Sequence, residues 1–290
     1  MTVRQLGNGI ARSTVKHGVR WSNKFGVALL TAACCTASAL AQSGTLEQHA
    51  KLNLIAVPAS GNAPTMWVGV LFHLDPGWHV YWQNPGDSGT PPKIEWHVPS
   101  SYRVGTIRWP TPKRLGSGSV VDYGYENQVL LMAPIERAGG AVIASLPLTA
   151  DVKYVVCREI CIAGKAHVEL GASVSGDPAP DAVQVQALFQ ETQAQLPKPA
   201  PASWKISVKQ DEEHFAVTVT GAPAIKALSF FPLDSDEIEN SAPQPFASTQ
   251  DGFGLTLRKS DQLVKPISTL RGLIVLGPGR AYQIAAPVAQ

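Results

Sequence analysis

Cys157 and Cys161 stand three residues apart in the run Tyr154-Val155-Val156-Cys157-Arg158-Glu159-Ile160-Cys161-Ile162-Ala163-Gly164. Two thiols this close can do disulfide exchange: one, as thiolate, attacks a foreign disulfide, and the other resolves the mixed disulfide that results. Closing so short a loop adds little stability compared with a bridge between distant segments, so the pair reads as a switch and not a staple. Arg158 and Lys165 favour a thiolate electrostatically, while Glu159 opposes one.

The chain has 4 cysteines, and the other two, Cys34 and Cys35, fall in a stretch that reads as an export signal. Arg4, Arg12, Lys16, Arg20 and Lys24 form an acid-free basic front. An apolar run from Phe25 to Leu40 follows, then Ala39-Leu40-Ala41 as a small-residue cleavage site. Cleavage after Ala41 is expected to leave only Cys157 and Cys161, in an oxidising compartment. An uncleaved anchor is the alternative. Lipid attachment at Cys34 or Cys35 fits less well, because Thr31-Ala32-Ala33 is a poor approach to such a site.

A second stretch, Asp75-Pro76-Gly77-Trp78-His79-Val80-Tyr81-Trp82 continuing to Gly89, crowds large aromatics into a segment bounded by Pro and Gly. Turns ordinarily expose small polar residues, so these rings need something to cover. On a plain strand, Trp78, Val80 and Trp82 would face the core and His79 and Tyr81 the surface. His73, His79, His97, His167 and Met132 are soft metal donors, but no two of the histidines have a metal-binding spacing, and no metal site is assigned. Asp122 and Glu126 flank Tyr123 and Tyr125, and they read as surface-loop carboxylates rather than a catalytic pair. Exposed Trp and Tyr would suit sugar stacking, which leaves two neighbouring cysteines unexplained. With 24 Lys+Arg against 22 Asp+Glu and no basic cluster, nucleic acid is not an expected partner.

The elements that would carry these residues read as strands. Short runs rich in β-branched and aromatic residues recur at Leu52–Ala56, Trp67–Phe72, Ile94–Val98, Val104–Trp109, Val129–Ile135, Gly140–Leu148, Val152–Val156 and Ala166–Leu170. Pro- and Gly-rich turns separate them, which predicts an antiparallel sandwich over residues 42–176. Asp181 can cap a helix reaching about Leu196, with Val185, Leu188, Phe189 and Leu196 on one face. Lys198-Pro199-Ala200-Pro201 follows as a stiff linker, completing a connecting segment over 177–202. Six further strand candidates from Trp204 to Pro287 predict a second, smaller sandwich over 203–290. The fold class is therefore all-β, with two sandwiches joined by a short helix and a Pro-rich linker, after a signal at 1–41.

Several motifs in order carry a family resemblance: Gly77-Trp78-His79-Val80-Tyr81-Trp82 with Asn84-Pro85-Gly86, then Trp109-Pro110, Asp122-Tyr123-Gly124-Tyr125, and Val156-Cys157 through Cys161-Ile162-Ala163-Gly164. Together they resemble the periplasmic N-terminal domain of the DsbD family of thiol:disulfide interchange proteins, most nearly its ScsB-like branch, which is associated with copper tolerance. The resemblance implies an immunoglobulin-like sandwich in the periplasm. Such a domain takes electrons from a membrane-embedded donor and passes them to thioredoxin-fold proteins, with no cofactor. It also implies that Cys161 forms the mixed disulfide and Cys157 resolves it, and that a cap loop over Asp75–Tyr81 shields the sulfurs through Trp78, His79 or Tyr81. The cysteine spacing is shorter than in the best-known members, and Ala163 stands where Pro is frequent. The sequence holds no polytopic membrane segment, so a separate membrane electron donor is expected. The rival reading is a copper-binding or protein-interaction sandwich with a structural disulfide.

Overall fold

The apolar run Trp67–Phe72 breaks strict alternation because its strand is covered on both faces. In the computed structural model, which describes residues 49–57, 65–116, 118–137, 147–171 and 181–289, β1 (Ala50–Val57), β2 (Thr65–Leu74), β5 (Tyr102–Val104) and β8 (Gln128–Arg137) form one antiparallel sheet in the order β1-β2-β8-β5. Val68, Val70, Phe72 and Leu131 face the core between sheets. Leu71, Leu130 and Met132 face α1 (Ala182–Gln195), which seats Val185 and Phe189 on them. Burying a side chain such as Phe189 contributes about 2 kcal/mol. Asp181 caps this helix: it accepts the Gln184 amide at 2.8 Å while the Gln184 side chain accepts the Asp181 amide, a reciprocal capping box. At the other end the Gln195 carbonyl accepts both the amide and the hydroxyl of Thr111.

The second sheet carries the cysteines. Its order is β10 (Cys161–Glu169), β9 (Thr149–Cys157), β3 (His79–Gly86), β7 (Asp122–Glu126) and β6 (Lys113–Leu115), and β4 (Lys93–His97) extends β9 beyond the end of β3. Val80, Trp82, Tyr123, Val152, Tyr154 and Val156 turn inward to the shared core.

The segment expected as a strand over Val104–Trp109 departs from regularity. The Gly105 amide bonds the Pro134 carbonyl and the Arg108 amide that of Met132, so three steps along one chain match two along its partner. The extra residue is accommodated as a bulge beside Pro134.

The remainder forms one eight-stranded sheet: β14 (Ser229–Pro232), β17 (Thr269–Val275), β18 (Ala281–Ala289), β12 (Lys205–Gln210), β13 (His214–Thr220), β16 (Gly252–Arg258) and β15 (Phe246–Thr249) in that order, with β11 (Lys198–Pro199) beside β18. Phe230 at one end and Leu255 near the other share a core with Phe215 and Phe253, so the sheet folds over on itself. Two of its strands escape the sequence pattern for physical reasons: β15 is exposed at every position, and β11 lies in the Pro-rich linker. The predicted export signal and most of the strand expected over Gly140–Leu148 lie outside the described residues.

The two cores meet. Phe231 and Leu273 pack into the first, where the Phe231 ring stands edge-on to Trp82 and Tyr123 at centroid distances of 6.3 and 5.2 Å.

Candidate functional site

The hairpin β9–β10 places Cys157 directly opposite Cys161, joined as a disulfide with Cα atoms 4.2 Å apart. Arg158-Glu159-Ile160 makes the turn between them, closed by the Arg158 amide donating to the Ile160 carbonyl at 3.2 Å. Because Val152, Tyr154 and Val156 face the core, period-two alternation turns Cys157 outward, away from the sandwich interior. The two sulfur-bearing residues are not equivalent. Cys157 is 3 % exposed, whereas Cys161, on the edge strand, is open to solvent.

What buries Cys157 is β3 and its surroundings. His79 pairs with Cys157 in register, and Tyr81 follows on the same outer face. Alternation alone would leave Tyr81 at the surface, yet it is fully buried. The segment after β3 lies over it. Gly89 has φ +65°, and a Cβ there would sit 2.1 Å from the Tyr81 ring, so only glycine allows this approach. Under that cover the Tyr81 hydroxyl reaches the Ser88 Oγ at 3.1 Å and the Cys161 Sγ at 3.5 Å.

A buried carboxylate organises the group. Asp122 on β7 accepts the Ser88 amide at 3.0 Å and the Ser88 hydroxyl at 2.9 Å. With the Ser88 proton committed to Asp122, the single Tyr81 proton has two acceptors, Ser88 Oγ and Cys161 Sγ. Burial raises the Tyr81 pKa above its ordinary value, against a lowering by the Ser88 hydrogen bond, so the phenol remains a donor at neutral pH. His79 Nε2 lies 3.4 Å from Asp122 Oδ2 without the alignment of a hydrogen bond, and its ring meets Tyr81 edge-on at 5.1 Å. The arrangement offers a proton donor beside an accessible sulfur, with a second sulfur buried behind it.

The site residues read from sequence are distributed as follows. Cys157, Cys161, His79 and Tyr81 come together, although His79 and Tyr81 belong to a strand and not to a loop. Asp75 and Trp78 form the preceding turn, closed by the Trp78 amide on the Asp75 carbonyl at 3.0 Å. Trp78 stacks on His49 at 3.8 Å, and the Arg158 guanidinium lies 5.6 Å over its ring, so Trp78 supports the hairpin tip. Asp75 is exposed and bonds His49. The surface-loop reading of Asp122 is corrected: it is 7 % exposed and sits in a strand, because Ser88 and His79 close over it. Ser88 and Gly89 were not singled out, and only the unusual Gly-Asp-Ser-Gly run after β3 marked them.

His97 and His167 converge on Asp151, at 2.7 Å each, on the exposed face. Among the described residues no group of three or more His, Cys, Asp or Glu is arranged to hold a metal ion, and no helix is long and apolar enough to cross a membrane.

Comparison with known proteins bears on the family and the fold. Residues 52–173 match the family described as "Thiol:disulfide interchange protein DsbD, N-terminal". The N-terminal periplasmic domain of ScsB from Proteus mirabilis has a similar fold, with a TM-score of 0.61 at 18 % identity, over 84 % of this chain and 94 % of that one. The periplasmic chaperone SfaE aligns at a TM-score of 0.20 and 9 % identity, too low to carry an argument. No curated protein sequence matches the chain.

Proposed function

We propose, on the match of residues 52–173 to the family described as the N-terminal domain of the thiol:disulfide interchange protein DsbD, that this chain shuttles electrons by disulfide exchange with thioredoxin-fold proteins in the periplasm, through Cys157 and Cys161. The observation that carries the reading is the asymmetry of the pair: Cys161 is open and faces the Tyr81 hydroxyl, while Cys157 is buried behind it. In the reduced protein the Cys161 thiolate attacks a partner disulfide, forming a mixed disulfide and expelling one partner thiolate. The Cys157 thiolate then attacks the Cys161 sulfur, closing the intramolecular bond and expelling the second. Two electrons and two protons pass to the partner, and a separate membrane-embedded dithiol donor returns them.

Tyr81 is the shielding residue in this reading, held down by Ser88 and Gly89. His79 braces it edge-on, Trp78 supports the hairpin tip, and Asp75 only opens the turn. The sandwich over 42–176 does the exchange, the segment over 177–202 links, and the sandwich over 203–290 supports it.

The test is a trap. Cys157→Ser, offered oxidised thioredoxin-fold proteins of the periplasm, accumulates a mixed disulfide on Cys161 that reductant releases, and Cys161→Ser accumulates none. A Cys157→Ser protein that captures no partner, together with a native disulfide that resists mild dithiothreitol, would return the pair to a purely structural role.

A further inference from the structure

The segment that covers Tyr81 is not fixed by the sandwich that carries the cysteines alone. Its first residue, Asp87, accepts the Val121 amide on Oδ2 at 2.7 Å and donates its own amide to the Val121 carbonyl at 3.1 Å. Its other oxygen, Oδ1, accepts the Asn240 side-chain amide at 2.7 Å, and Asn240 belongs to the C-terminal sandwich. Asn240 is itself locked: its Oδ1 accepts the Tyr123 hydroxyl at 2.8 Å, and its carbonyl accepts Arg114. Three positions before Asp87, Asn84 near the end of β3 donates to the carbonyls of Pro232 and Asp234, at 2.9 and 3.1 Å. The same Asn84 accepts the Gly86 amide at 3.1 Å. Asn84 and Asn240 are 2 % and 8 % exposed, so each side-chain amide is withdrawn from water and leaving it without a partner is costly, although Asp87 itself lies at the surface.

Two features show that this contact is aimed at the site rather than being generic packing. The register between β3 and β7 slips between Tyr81 and Gly86, so the strand bulges where Asn84 meets the second sandwich before pairing again at Gly86. Asp87 is also adjacent to Ser88, whose hydroxyl stands between Asp122 and Tyr81. The path from Asn240 to the accessible sulfur is thus Asn240–Asp87, one peptide step to Ser88, then Tyr81 and Cys161.

From this we infer that Asn240 of the C-terminal sandwich is a positioning residue for the disulfide: by holding Asp87 it fixes the Ser88–Gly89 cover, and through it the Tyr81 hydroxyl at Cys161. The inference rests on the exchange reading above. It assigns the C-terminal sandwich the task of setting how exposed and how acidic Cys161 is.

A charge swap tests it. Asn240→Asp keeps the acceptor for Tyr123 but sets a carboxylate against Asp87, which lifts the cover. The doubly substituted Asp87→Asn/Asn240→Asp protein restores one donor and one acceptor with their places exchanged. Two readouts follow the site itself: the rate at which dithiothreitol reduces the disulfide, and the pH midpoint of iodoacetamide labelling of Cys161 in a Cys157→Ser background. Asn240→Asp is expected to speed reduction about tenfold, as replacing a part-buried hydrogen bond to a carboxylate by like-charge repulsion implies, and to raise the labelling midpoint, with the swap returning the rate to within about twofold of the parent and the midpoint towards the parental value. A cooperatively folded Asn240→Asp protein with parental reduction rate and midpoint overturns the inference, as does a folded swap that restores neither. If Asn240→Asp does not fold, Asn240→Ser, which withdraws the donor without adding charge, is read by the same two measurements and the same criteria. Both probes are small molecules, so a failed partner trap refutes the exchange reading, and unchanged small-molecule chemistry refutes this one.

Discussion

Replacing Tyr81 with Phe removes one oxygen and keeps the ring that fills the space under Gly89. The hydroxyl makes a neutral bond to Ser88 at 3.1 Å and a longer one to Cys161 at 3.5 Å. Ser88 keeps Asp122 as its partner, so no polar group is stranded, and the folding cost should be about 1 kcal/mol, typical of a neutral hydrogen bond. The effect on chemistry is larger. A hydrogen bond to a charged acceptor contributes about 1.5 to 3 kcal/mol, so losing the donor should raise the Cys161 pKa by about 1 to 2 units at 1.36 kcal/mol per unit. Below that pKa the thiolate fraction drops by about ten- to a hundredfold, and the higher intrinsic nucleophilicity of the more basic thiolate recovers roughly half of this on a logarithmic scale. The net expectation is attack on a disulfide about three- to tenfold slower near neutral pH. The assay is the rate of iodoacetamide labelling against pH in Cys157→Ser, with and without Tyr81→Phe. A midpoint that moves by less than about 0.3 units, smaller than any hydrogen bond of this kind would give, refutes the assignment of Tyr81 as donor to the sulfur.

Three other substitutions have defined outcomes. Glu237 is buried with Oε2 unpartnered, and desolvation, reinforced by Asp234 and opposed by Arg271, lifts its pKa to about 7. A raised acid pKa means the folded state holds the proton longer, so this group's penalty is absent below the unfolded value, grows as pH rises to about 7, and is constant above it. Glu237→Gln should remove that slope, narrowing the stability difference between pH 5 and pH 8 by about 2 kcal/mol after solvent screening, as read from urea midpoints. Gly164 lies opposite Tyr154, and a Cβ there would come 2.3 Å from its ring. Gly164→Ala should therefore cost about 1 to 3 kcal/mol of stability by overpacking, measured the same way. Replacing both Cys157 and Cys161 with Ala should cost no more than about 2 kcal/mol, because the loop they close is so short. A protein unfolded by that double change would contradict the switch reading.

The parts of the fold set by local chemistry were readable. Asp181 and Gln184 announce a capped helix because a capping box needs only residues within one turn, and Val185 and Phe189 mark its buried face. Strands β13 and β16 largely alternate, and β17, buried on both faces at Leu273 and Ile274, still reads as an apolar run, so all three are legible nearly to the residue. The cysteine hairpin was legible from spacing. Tyr81 was harder: its position on an outward face is local, but its burial comes from residues 88 and 89 folding back, which no period records. Asp122 was misplaced for the same reason, since a carboxylate in a strand looks exposed until its hydrogen-bond donors are known. Asn240 carried no sequence signal, and Asn84 entered only as part of the Asn84-Pro85-Gly86 motif, because their roles depend on residues some 150 positions away.

Cys157 and Cys161 face each other across one rung of a hairpin whose ladder runs unbroken from that rung to Glu169. The rails are tied by main-chain bonds that ignore the sulfurs' oxidation state, so making or breaking the link is a matter of side-chain torsions within one frame. In the exchange proposed above, a visiting protein would therefore meet nearly the same contour before and after electron transfer. Release of the spent partner would then come from the difference between a thiol and a bond at that rung, and not from a change in the outline of the molecule.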